Sequence, residues 1–310
     1  MQGLAVGLPA LALPGPGWVR VAAAQVAAET AFEPDTDPTE GRTISFEDPF
    51  LRIDHATWNA GPKAGTAEPG FYGRSAFARF GGEAGFNPYA IVEDPDCENG
   101  RALQLSAGYI GRKMDVPSYY GNDDPEYQWI SGNLQTARSD GTVLKSWRHG
   151  YFETRMRFPA HPLTWPAFWF LNNRAILEPD SSIEIDVVEH KGFEPHIYGA
   201  YLHEWVPPGD HHEGAGVPTG PDMTQGYNRY GVLLVDDLCV VYFNRRVIRD
   251  MASGEPVIWR IGRAAEMAEK GDGFWPLLTL ALRADYAYPD PLLPEHHVAH
   301  MRIDYFRVYS

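Results

Sequence analysis

The sequence predicts an all-β protein, a sandwich or jelly roll of antiparallel strands. Strand-like segments follow one another at short spacing, helix signals are nearly absent, and 31 Gly and 26 Pro supply turns. Tyr151 to Phe158 alternates, with Phe152, Thr154, Met156 and Phe158 on one face and Glu153, Arg155 and Arg157 on the other. Ala167 to Leu171 is a short apolar run, and His196 to Trp205 is strand-like and aromatic. Tyr230 to Phe243 holds two apolar runs split by Asp236-Asp237, a hairpin signal. Phe274 to Leu282 and Met301 to Tyr309 complete the set, and Arg260 to Lys270 is the one good helix candidate.

Residues 1 to 43 carry few aromatics and end in the acidic, Pro-bearing Glu33-Pro34-Asp35-Thr36-Asp37-Pro38, which suggests a signal or linker segment. Leu4 to Leu13 is apolar and Ala22-Ala23-Ala24 resembles a cleavage site, but no Lys or Arg precedes the run, Pro9 interrupts it, and Pro14 and Pro16 follow at once. From residue 44 to 310 the aromatic density is high throughout, as expected of one domain. The formal net charge of −15 argues against nucleic-acid or anionic-membrane partners. No apolar stretch is long enough to span a bilayer. Cys97 lies in a polar stretch and Cys239 in an apolar one, so a buried thiol plus an incidental one is favoured over a disulfide. His211-His212 and His296-His297 are adjacent pairs, and neighbours on a strand face opposite ways, which is poor geometry for a metal.

Ser182 to His190 carries the chemistry. Glu184 and Asp186 share a face, while Ile183, Ile185 and Val187 share the other. In a regular strand Glu189 would fall on the apolar side. A β-bulge at Val187-Val188, one extra residue, returns it to the acidic face. Two glutamates on one face with an aspartate between them can split a glycosidic bond. The same pattern also occurs on the solvated face of an ordinary strand, so the surroundings have to decide.

Those surroundings resemble glycoside hydrolase family 16, retaining endo-glycanases, in order along most of residues 44 to 310. Phe46-Glu47-Asp48-Pro49-Phe50 followed by Leu51 to Trp58 looks like the family's opening strand. Ser131-Gly132-Asn133-Leu134, His149 to Arg155 and Trp165-Pro166-Ala167-Phe168-Trp169-Phe170-Leu171 look like its next landmarks. Glu184 to Glu189 matches the bulged form of its active-site motif, and Met301 to Tyr309 looks like its closing strand. The resemblance implies a concanavalin-like jelly roll of two antiparallel sheets whose concave sheet forms a substrate cleft.

It also implies roles. Glu184 becomes the nucleophile and Glu189 the general acid/base, with Asp186 between them tuning Glu184 or its proton. The pair must lie ~5–5.5 Å apart for a retaining mechanism, and nearby negative charge must keep Glu189 protonated at rest. Trp165 and Trp169 share a side and are expected as sugar platforms, with Phe168 and Phe170 in the core. His203 matches a position that hydrogen-bonds near the catalytic centre, and Trp205 shares its face. Asn133 matches a cleft-lining position, and Trp129, with Tyr127, is expected to extend the groove. Asp304 is the aspartate by which many members hold a structural calcium ion, while catalysis needs no cofactor. Departures fall at Gly199, often His in laminarinase-like members, at Leu233-Leu234, at Pro49, and at Asn244-Arg245-Arg246 where Asp-Gly is usual. The aromatic insert Gly70 to Tyr89 either walls the cleft or packs over the core. The expected protein is a monomeric extracellular or periplasmic hydrolase of internal bonds in a β-glucan or bacterial exopolysaccharide. A non-catalytic carbohydrate-binding jelly roll and a transglycosylase are the alternatives.

Overall fold

Alternating apolar residues build two sheets whose inner faces share one core. The computed structural model describes residues 36–61, 71–72, 75–111, 128–205, 209–283 and 297–310. Residues 1–35, Tyr127 and His296 lie outside them, as does part of the insert. Pro34–Ser310 makes one compact unit.

The larger sheet has twelve strands among the described residues, with Gly150–Arg157, Val298–Tyr309 and Arg101–Tyr109 adjacent at its centre. Its pairs are antiparallel except Ser75–Phe77 with Trp129–Ser131, which run parallel. The opening strand is Ile44–Asp48, shorter than the sequence suggested, and it zips onto the closing strand with Glu47 opposite Arg307. Phe50 then turns the chain with φ 46°, so Leu51 to Trp58 is not strand.

The smaller sheet has seven strands in the order His211–Pro218, Ile197–Trp205, Ser182–His190, Thr164–Asn172, Phe274–Leu282, Asn133–Gln135 and Asn59–Ala60. Phe168, Phe170, Ile183, Ile185, Leu278 and Leu280 point inward and meet Phe152, Met156, Val232 and Phe306 of the larger sheet. The alternation of Gly150–Arg157 is therefore as expected. The Asp236-Asp237 hairpin also forms, with Asp236 in the left-handed region at φ 53°.

Two expectations change here. The helix covers only Ala264–Glu269, because Ile258–Arg260 is drawn into a strand and Glu204 captures the backbone N–H groups of Gly262 and Arg263. The described part of the insert packs over the core. Ala76, Ala78 and Tyr89 are buried in it, and Phe80 and Phe86 lie against it. Both cysteines are free and buried.

The calcium expectation for Asp304 also meets a physical obstacle. Asp304 is the extra residue of a bulge in the closing strand, opposite Met156-Arg155. Its carboxylate is fully buried, is paired with the Arg155 guanidinium, and accepts the Glu98 N–H at 3.1 and 3.2 Å. Calcium needs six to eight oxygens, and a guanidinium already neutralises this one. Among the described residues no three acidic, His or Cys side chains gather to hold a metal. The donor set does not fit calcium, and Asp304 serves as a buried ion-pair partner.

Candidate active site

The bulge on Ser182–His190 is present and is read identically from both neighbours. The four residues Asp186 to Glu189 span the three from Tyr201 to Gly199 on one side. On the other, Val188 and Asp186 face the consecutive Phe168 and Trp169. Val187 and Val188 are both fully buried in the core. The extra residue lets Glu184, Asp186 and Glu189 share the outer face of the smaller sheet.

Register then sets their neighbours. Glu184 stands opposite His203, which stands opposite His212. Asp186 stands between Tyr201 and Trp169. Glu189 lies in a row of small side chains, with Gly199 and Gly216 on one side and Ala167 and Thr279 on the other. The Tyr201 ring lies over Gly199 and the Met251 side chain over Gly216.

The three carboxyl groups sit in different environments. Glu184 is half-buried and accepts a 3.0 Å hydrogen bond from the Trp205 indole. Asp186 is 3% exposed, with His203 Nε2 at 3.4 Å from Oδ2. Burial, then the charges of Asp186 and Glu184, push the Glu189 carboxyl well above the ordinary glutamate range. His203 and a hydrogen bond from Trp165 offset part of that rise. Glu189 is thus the proton-bearing member.

The raised value has a sign for stability. Between the ordinary glutamate pKa of about 4.3 and the elevated folded value, the native state binds more protons than the unfolded chain. Stability therefore falls as pH rises through that window. Glu189→Gln should remove this slope, so its thermal midpoint should gain on the wild type from pH 5 towards pH 9. Equal slopes for the two proteins would refute the assignment of a raised Glu189 pKa.

The aromatic residues divide. Trp165 is half-exposed and bound to Glu189, and Trp205 is 38% exposed and bound to Glu184, so both belong to the site. Trp169 points to the same outer face but is only 2% exposed. Ala137, Ala175, Ile176, Trp275 and Leu277 close over it, and its indole donates to Thr279 Oγ1 at 2.7 Å. It supports the sheet beside Asp186 and offers no free ring face to a sugar. Trp129 belongs to the larger sheet and is buried in the main core against Tyr109 and His161. Asn133 is fully buried at the far end of the Glu189 row, where its amide donates to Gly61 O and Gln135 Oε1. These three do not line an open groove.

Tyr201 was missed by the sequence argument. Its ring stacks on His203 at 5.7 Å and 18°, and His203 stacks on Trp205 at 5.1 Å and 22°. The spacing i, i+2, i+4 on one strand is the signal that could have found it. A Cβ at Gly199 would lie 2.5 Å from the Tyr201 hydroxyl, so glycine there lets the ring fold back toward Glu189. Burial, then Glu189 and Asp186, push the Tyr201 hydroxyl up to about 12, so it stays a neutral donor.

No protein-family model matches the chain. The endo-1,3-1,4-beta-glycanase EglC of Rhizobium meliloti (strain 1021) is 31% identical over 185 residues, 59% of this chain and 34% of that protein. A beta-glucanase of Rhodothermus marinus is 42% identical over 62 residues, 19% of this chain and 21% of the relative. The chain is similar to these two β-glucanases over part of its length. It spans about a third or less of the length of these curated relatives. Among solved structures, the family 16 endo-glucanase of Bacteroides ovatus, in complex with G4G3G-2F-DNP, superposes with a TM-score of 0.58. It is 17% identical, and the match covers 86% of this chain and all of that one, which fixes the two-sheet fold.

Proposed function

We propose that this chain is a glycoside hydrolase family 16 enzyme, an endo-acting, retaining β-glucanase that cuts internal β-glycosidic bonds by double displacement. One observation carries the proposal. A single bulged strand presents an indole-bound carboxylate, Glu184, and a half-buried, proton-bearing carboxyl, Glu189, on the same face. Glu184 attacks the anomeric carbon while Glu189 gives its proton to the leaving oxygen. Glu189 then takes a proton from the water that releases the sugar from Glu184. Asp186 adds the negative charge that helps keep the proton on Glu189 between turnovers.

Mixed-linkage β-glucan is the first substrate to test, because EglC is named for 1,3-1,4 cleavage. The Bacteroides ovatus enzyme was captured with an oligosaccharide derivative, which supports a polysaccharide partner. We infer that an enzyme acting on such a polymer works outside the cytoplasm. The test is incubation with mixed-linkage glucan, laminarin, galactan and an acidic exopolysaccharide, followed by proton NMR. New reducing ends should appear first as the β anomer, with a rapid fall in viscosity from internal cutting. Early α anomer excludes the double displacement. Binding without any product leaves a carbohydrate-binding module instead.

A further inference from the structure

The row Glu184, His203, His212 runs across three strands and ends on the sheet's edge strand, His211–Pro218. His203 Nδ1 lies 2.8 Å from His212 Nδ1, and His203 Nε2 faces Asp186 at 3.4 Å. Two imidazole nitrogens at 2.8 Å must share one proton, since two lone pairs or two N–H groups would repel. Asp186 is buried, His203 half-buried and His212 exposed, so the three groups step from the interior to solvent.

We propose that His212 is a positioning residue for the proposed glycosidase. It donates its Nδ1–H to His203, leaving the His203 Nε2–H aimed at the Asp186 carboxylate. The alternative neutral arrangement would put the His203 lone pair against an ionised Asp186. The rings are held for this. His203 is sandwiched between Tyr201 and Trp205, and His212 meets His203 and Trp205 edge-on at 4.9 and 4.8 Å. The charged or titratable groups around the dyad are Asp186, Glu184 and Glu189 on the central strand, Tyr201 on the strand of His203, and Asp210 and His211 beside His212. Burial and the neighbouring His203 lower the His212 pKa, which favours a neutral ring able to keep one tautomer. A fixed N–H donor at Asp186 steadies the charge that acts on Glu189.

The inference rests on Asp186 belonging to the catalytic trio, so its test has an arm that needs no turnover. In protein labelled with 15N-histidine at pH 7, long-range 15N–1H correlations should show His203 as the Nε2–H tautomer. They should show His212 as Nδ1–H, the less common form of a free side chain. The reverse assignment overturns the proposal even in an active enzyme, and the expected one upholds it even if no β-glucan is cut. In the kinetic arm, His212→Phe should lower kcat on mixed-linkage glucan about 3–10-fold with KM nearly unchanged, as loss of a supporting hydrogen bond does. The acid limb of its pH profile should move upward. His212→Gln, whose amide can still donate to Nδ1, should stay within about twofold of wild type. Equal losses in the two variants, or none in either, would overturn the positioning role.

Discussion

Glu184→Gln is expected to lower turnover on β-glucan by roughly 10⁴-fold or more while leaving oligosaccharide affinity within a few-fold, because the nucleophile acts in the bond-making step and barely in ground-state binding. The amide keeps the size and shape of the carboxyl group. Its oxygen can still accept the Trp205 indole N–H, so the 3.0 Å contact that orients the side chain survives. What is lost is the negative charge and lone pair that attack the anomeric carbon. A second effect follows from the layout. Glu184 is one of the two charges that hold the Glu189 carboxyl above its ordinary range. Removing it should let the Glu189 pKa fall part of the way back, with burial and Asp186 still acting. Titration of Glu189 by 13C NMR in both proteins measures this. Wild-type turnover in Glu184→Gln sinks the nucleophile assignment. An unchanged Glu189 titration sinks the electrostatic coupling alone.

The parts of the site that the sequence showed are those set by strand period. Alternation places Ile183 and Ile185 inward and Glu184 and Asp186 outward, and the mismatch at Glu189 demands one extra residue, which the structure puts at Val187-Val188. The apolar segment Phe274–Leu282 is a strand with the bounds expected, buried at every position. Strand period says which face a side chain takes and nothing of what covers that face. Trp165 and Trp169 therefore looked alike, yet Ala137, Ala175, Ile176, Trp275 and Leu277 close over only the second. Trp129 failed for another reason, since three residues, Trp129–Ser131, carry too little pattern to say which sheet they join. Arg101–Tyr109 escaped notice because Ala, Ser and Gly are weak strand formers, although the central position of that strand overrides propensity. His211–Pro218 escaped because an exposed, Gly-bearing edge strand reads as loop, so His212 was weighed only as half of an adjacent pair ill suited to a metal.

Arg245→Ala should cost about 3 kcal/mol, or about 5–10 °C in thermal midpoint, an effect larger than its surface-turn position suggests. The segment Asn244-Arg245 departs from the usual Asp-Gly hairpin, and both residues sit in the left-handed region at φ 49° and 63°. Asparagine tolerates that region, but for arginine the conformation costs about 1–2 kcal/mol. The compensation is Glu153, a fully buried carboxylate. Arg245 Nε and one of its terminal nitrogens donate to it at 2.8 and 2.9 Å, while the Tyr305 and Tyr151 hydroxyls donate at 2.8 and 3.1 Å. Taking away the guanidinium leaves a buried charge with only phenol donors and the Arg229 side chain at 3.8 Å. Arg245→Gly discriminates the two forces. It relieves the backbone and deletes the ion pair in one step, so a net loss of about 1–2 kcal/mol is expected if the buried carboxylate dominates. A rise in midpoint would mean that backbone strain is the larger quantity. Arg245→Lys should recover only part of the loss, because an ammonium cannot make the two parallel hydrogen bonds to Glu153.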